Sequence, residues 1–82
     1  MTRAGLSRSD DTRQAVSLVD VSTFGCRLSG AEDAAVGDRV RLTLGGAAVG
    51  ATVMWCGDEM IGCRFDVPIA RPLMRSLVLG IA

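Results

Sequence analysis

Seven residues near the middle of the chain constrain it most. Asp38–Leu44 reads DRVRLTL, with Val40, Leu42 and Leu44 in one phase and Arg39, Arg41 and Thr43 in the other. Strict alternation is the period of an extended strand with one face buried and one face wet. Glycine punctuates the chain on both sides of this strand, so the neighbouring apolar runs are short as well. Gln14–Val21, Cys26–Leu28, Ala47–Cys56 and Glu59–Phe65 read as four more strands. Between them lie a turn or bulged strand end at Ser22–Gly25, a loop at Gly30–Gly37, and tight turns at Gly45–Gly46 and Gly57–Asp58. Gly50, inside the longest run, is expected to mark a bulge or bend. Many short strands with frequent glycine turns predict an all-β fold, a small antiparallel barrel of five or six strands.

The two ends differ from this pattern. Residues 1–12 are rich in Arg, Ser and Asp and hold one large aliphatic, Leu6; they predict a flexible N-terminal arm, leaving residues 13–82 as the barrel. At the other end Ile69, Leu73, Leu77 and Met74, Val78 recur at helical spacing behind Pro68 and Pro72, which predicts one C-terminal α-helix over Pro72–Leu79. So short a helix needs a surface to pack on, the barrel or another subunit. Alternation assigns Val16, Leu18, Val40, Leu42, Val53, Trp55, Ile61 and Phe65 to one core.

Charge and reactive groups exclude several functions. Nine basic residues balance nine acidic ones, which leaves no broad footprint for polymeric nucleic acid and no polybasic patch for an anionic membrane. All nine are Arg; codon bias accounts for that, although Arg also suits bidentate recognition of phosphates and guanine edges. No His is present, and Cys26, Cys56 and Cys63 show no paired short spacing, so neither a zinc site nor a nucleophile–base pair is expected. The cysteines read as reduced thiols in or near the core. The polar start lacks the apolar region of a signal peptide, and no apolar run approaches a membrane span. The expectation is a cytoplasmic domain, not an enzyme, with no cofactor and no metal, as a monomer or weak homodimer.

One motif points further. Asp20-Val21-Ser22-Thr23-Phe24-Gly25 reads D-x-S-x-x-G at the end of the first predicted strand. Taken alone it is a turn former, because Asp and Ser bond nearby backbone and Gly reaches positive φ. After it come Cys26-Arg27-Leu28, then Gly37-Asp38-Arg39-Val40-Arg41-Leu42, then Val53-Met54-Trp55, then Ile61-Gly62-Cys63-Arg64-Phe65. In that order and spacing the chain resembles the PilZ domain family, over roughly Arg13 to Leu79.

The resemblance implies a bacterial second-messenger receptor or adaptor that binds cyclic di-GMP and acts through a protein effector. It places Asp20, Ser22 and Gly25 at the motif positions that hold a guanine: a carboxylate can accept from guanine N1–H and N2–H₂. The family also uses R-x-x-x-R ahead of the barrel for phosphate and base contacts. Here Arg3, Arg8 and Arg13 lie five apart, and only Gln14–Val21 separates them from the motif, so either a strand is missing or the arm is short. Arg8 and Arg13 are the candidates for that role. Losing two charge-assisted contacts would cost roughly 3–6 kcal/mol, which leaves an alternative: a degenerate barrel that binds no nucleotide and serves as a protein-interaction module.

Overall fold

The computed structural model describes residues 2–8, 13–31 and 34–81. Six antiparallel strands close on themselves in the order β1-β2-β3-β6-β5-β4, followed by one helix. The strands are β1 (Thr2–Arg8), β2 (Arg13–Val21), β3 (Gly25–Ser29), β4 (Arg39–Leu44), β5 (Ala47–Gly57) and β6 (Met60–Phe65); α1 spans Arg71–Ile81. The expected all-β barrel with a C-terminal helix is what forms, with six strands. Closure gives each strand a hydrogen-bonded neighbour on both sides.

The sixth strand comes from the segment read as an arm. Thr2–Arg8 pairs with β2 from Thr2↔Leu18 to Ser7↔Arg13, and with β4 from Gly5↔Thr43 to Arg8↔Val40. Ala4 and Leu6 point inward and are buried. The arm reading is therefore corrected for these residues, and the barrel starts at β1 and not at residue 13. Residues 1 and 9–12, the rest of that arm, lie outside the described residues. The strand was missed because its inward positions carry only Ala4 and Leu6, too little apolar signal to outweigh the surrounding Arg and Ser.

Alternation fills the interior from every strand: Leu6, Leu18, Leu28, Leu42, Leu44 and Val53 are the largest fully buried side chains. Each such Leu contributes about 1.5–3 kcal/mol by leaving water. Of the expected core, only Trp55 is outside it. The ladder between β5 and β6 shifts register between Val53 and Trp55, so a bulge at Met54 flips the phase and turns the indole outward, 43% exposed. The bulge expected at Gly50 is absent; Gly50 pairs regularly with Arg41. Gly45 and Gly46 both adopt positive φ in the two-residue turn between Leu44 and Ala47, as a right-twisting hairpin requires.

The helix begins one residue before and ends two after the expected range, with Pro72 in its first turn. Leu77 is buried, and Leu73 and Met74 pack against the core cluster, so α1 docks on its own barrel against β2 and β1. Among the described residues no helix is long and apolar enough to cross a membrane.

Candidate functional site

Asp20 owes its position to a second bulge. Val16 and Leu18 face inward, and regular alternation would send Asp20 inward after them. The β2–β3 register shifts between Leu18 and Asp20. Past the shift Asp20 is exposed and Val21 buried. The bulge spares the core a carboxylate, whose burial unpaired would be prohibitive, and presents it on the outer surface.

The turn that follows is held by its own polar groups. The Ser22 N–H donates to the Gly25 carbonyl at 2.8 Å. The Ser22 hydroxyl donates to the same carbonyl at 3.3 Å and accepts from the Gly25 N–H at 3.3 Å and the Phe24 N–H at 3.4 Å. Asp20 Oδ1 accepts from the Val21 N–H at 2.9 Å. The turn is also tied outward: the Phe65 N–H donates to the Phe24 carbonyl at 2.8 Å and the Ile69 N–H to the Thr23 carbonyl at 3.1 Å. Gly25 is needed for close approach. Its φ is not positive, but a Cβ there would collide with the Cys63 carbonyl oxygen.

Both bulges deliver a side chain to the same place. Asp20, Ser22, Gly25 and Arg27 line a shallow hollow of about 240 Å³ whose other wall is Met54 and Trp55. The Trp55 indole lies against Gly62, where a Cβ would collide with its ring. Arg27 Nη2 donates to Asp20 Oδ2 at 2.8 Å, with the side chains 50% and 59% exposed. The hollow therefore combines an aromatic face, a carboxylate, a hydroxyl and a guanidinium. Arg27, Trp55 and Gly62 were not assigned to the site from sequence. Arg27 was findable, since it alternates outward two residues after Gly25; Trp55 was not, because nothing in VMWC signals a bulge.

Arg8 and Arg13 are not part of this hollow. Arg13 opens β2 and Asp20 lies seven residues further along it, roughly 23 Å at about 3.3 Å per residue. Arg8 Nη2 donates to Asp38 Oδ2 at 3.2 Å. Both arginines line a separate hollow of about 570 Å³ that shares no residue with the first. Of the five expected ligand residues the fold brings together Asp20, Ser22 and Gly25, and sets Arg8 and Arg13 apart.

The cysteines sit beneath. Cys26 and Cys63 are buried opposite each other on β3 and β6, both as free thiols. The hydrogen bond between them, burial and repulsion from Cys63 all push the Cys26 thiol up. The hydrogen bond from Cys26 lowers Cys63, against the opposing effect of burial. Cys56, expected near the core, is exposed beyond the Met54 bulge and donates its S–H to the Ala34 carbonyl at 3.4 Å. Among the described residues no group of three or more His, Cys, Asp or Glu converges as a metal site would require.

The fold is a closed six-stranded barrel whose polar motif ends a bulged strand and faces an aromatic on the neighbouring sheet surface. The PilZ domain family model matches residues 2–81, nearly the whole chain, and the chain belongs to that family. PilZ domains are binding modules, and generally bind cyclic di-GMP. No curated protein and no solved structure matches the chain.

Proposed function

We propose that this PilZ barrel is a cytoplasmic bacterial receptor or adaptor that binds cyclic di-GMP at the Asp20–Gly25 hollow and passes the signal on by contact with a protein effector. The observation that carries the reading is the pair of bulges, at Val19 and Met54, that turn Asp20 and Trp55 out into one hollow. An Asp carboxylate accepts from the N1–H and N2–H₂ edge of guanine. An indole face stacks a base for about 1–3 kcal/mol. Arg27 stands beside them as a planar fork suited to a phosphate. In the free protein Arg27 rests on Asp20, and an exposed ion pair of that kind is worth only about 0–1 kcal/mol. Guanine can take the carboxylate and release Arg27 to the phosphate at little cost. Charge neutralisation therefore falls to Arg27 and not to Arg8 or Arg13.

A second reading is a barrel that binds no nucleotide and serves as a protein-interaction module. It is favoured by the turn itself, where Ser22 and Asp20 already satisfy backbone groups, and by Phe24 at its tip, 66% exposed. Calorimetric titration with cyclic di-GMP separates the two. The receptor reading expects saturable heat with the parent protein and a loss of about 1–3 kcal/mol in Asp20→Ala. Absence of any heat at high micromolar ligand, with Asp20→Ala only lowering the melting temperature, establishes the interaction module instead.

A further inference from the structure

We propose that the larger hollow, across β1, β4 and β5, is a second and independent site for the diphosphate-sized group of a small phosphorylated ligand. Strand register builds it. Ser7 on β1 pairs with Arg13 on β2 and with Arg41 on β4, and Arg41 pairs with Gly50 on β5. These positions face outward in one row, so two arginines flank a serine at two interstrand spacings, roughly 9.5 Å between their Cα atoms. The floor under them is made of Gly5, Ser7 and Gly50, and the long arginine side chains form the walls of about 570 Å³ of space.

The charges of this trough are unevenly matched. Asp38 holds Arg8 at 3.2 Å, and Asp66 holds Arg39 at 3.0 Å. The Asp66 carboxylate leans over Gly50, where a Cβ would meet it at 2.6 Å, so that end of the trough is neutral and closed. Among the described residues Arg13 and Arg41 pair with no carboxylate. The two arginines flank Ser7 in the row, and the Ser7 hydroxyl donates to the Arg41 carbonyl at a long 3.4 Å. Arginine forks bind phosphate oxygens in pairs, and a diphosphate spans this separation better than a single phosphate.

The test is an amide NMR titration with pyrophosphate at constant ionic strength, which also reports whether each variant is folded. Saturable shifts are expected at Gly5, Ser7 and Arg41, weakened about tenfold or more in Arg13→Gln and in Arg41→Gln. Arg75→Gln on the far helix should titrate like the parent, and inorganic phosphate should bind more weakly than pyrophosphate. No saturable shift, shifts reproduced by chloride, or an unchanged response in both trough variants overturns the proposal. The two hollows share no residue, so this result is independent of whether cyclic di-GMP binds at the turn.

Discussion

The Trp55 indole occupies the space that a side chain at residue 62 would fill: β5 and β6 pair Trp55 with Gly62, and a Cβ there would collide with the ring. The glycine is required by its neighbour and not by its own backbone, since its φ is not positive. Gly62→Ala must therefore lift the indole off the barrel. Overpacking of this kind costs about 1–3 kcal/mol, and the displaced ring enters water. A lower melting temperature and a red-shifted tryptophan emission are the expected pair of results, easily read because Trp55 is the single tryptophan. An unshifted spectrum at unchanged stability would show that the ring does not lie there.

Leu6 decides whether β1 belongs to the barrel. Its side chain is 2% exposed and opposes Gln14 on β2 and Leu42 on β4. Leu6→Ala is expected to destabilise by about 2–5 kcal/mol, as in other cores, with Leu42→Ala in the same range. A flexible arm would leave the Leu6 variant melting with the parent.

Those two residues also mark what the sequence made legible. Leu42 sits in DRVRLTL, where three large aliphatics alternate with polar residues, and both its strand and its inward face follow directly. Leu6 stands alone among Arg, Ser and Gly in TRAGLSR. Its burial depends on β2 and β4 arriving from elsewhere in the chain to cover it, a tertiary effect with no local trace. The turn was legible because Asp, Ser and Gly are its own backbone partners. The hollow beside it was not, because a bulge one residue long reverses every inference drawn from alternation. Asp20 betrays its bulge by putting a carboxylate in an inward phase, whereas Trp55 is apolar in either phase and betrays nothing. Arginine spacing misled for a related reason: with β2 extended, nearness to the motif along the chain became distance from it in space.

The buried thiol pair predicts an alkaline weakness. The chain has no His, no Tyr and no Lys, so between roughly pH 8 and 11 only thiols and the terminal amine titrate. In the unfolded chain thiols ionise near their ordinary value of 9.0. In the folded protein the hydrogen bond with Cys63, and then burial, keep the Cys26 proton on well above that value. Above it the unfolded state binds fewer protons than the native one, so this stabilisation is full below pH 9 and is lost as pH rises. Cys63 is shifted the opposite way, so its contribution builds up as pH rises toward that value and is constant above it, leaving the decline beyond it to Cys26. Urea midpoints should therefore decline from about pH 9 to 11, and much less in Cys26→Ala/Cys63→Ala. An equally steep decline in the double variant would place its origin elsewhere.

Arg27 and Arg13 separate the two hollows in one experiment. On the receptor reading Arg27 reaches the phosphate of cyclic di-GMP once guanine displaces it from Asp20. Arg27→Ala should then weaken binding by about 1.5–3 kcal/mol, the value of a charge-assisted contact, and flatten its dependence on salt. Stability should hardly move, because the Arg27–Asp20 pair is half exposed and such pairs are worth about 1 kcal/mol at most. Arg13 stands at the other end of β2, roughly 23 Å along the strand from Asp20. Screening over more than two Debye lengths leaves it little influence there at physiological salt, so Arg13→Ala should change cyclic di-GMP affinity by less than about twofold. The measurement is calorimetry on both variants at low and at physiological salt. If Arg13→Ala weakens binding as much as Arg27→Ala does, the ligand contacts the opposite end of the barrel and the site at the turn is misassigned.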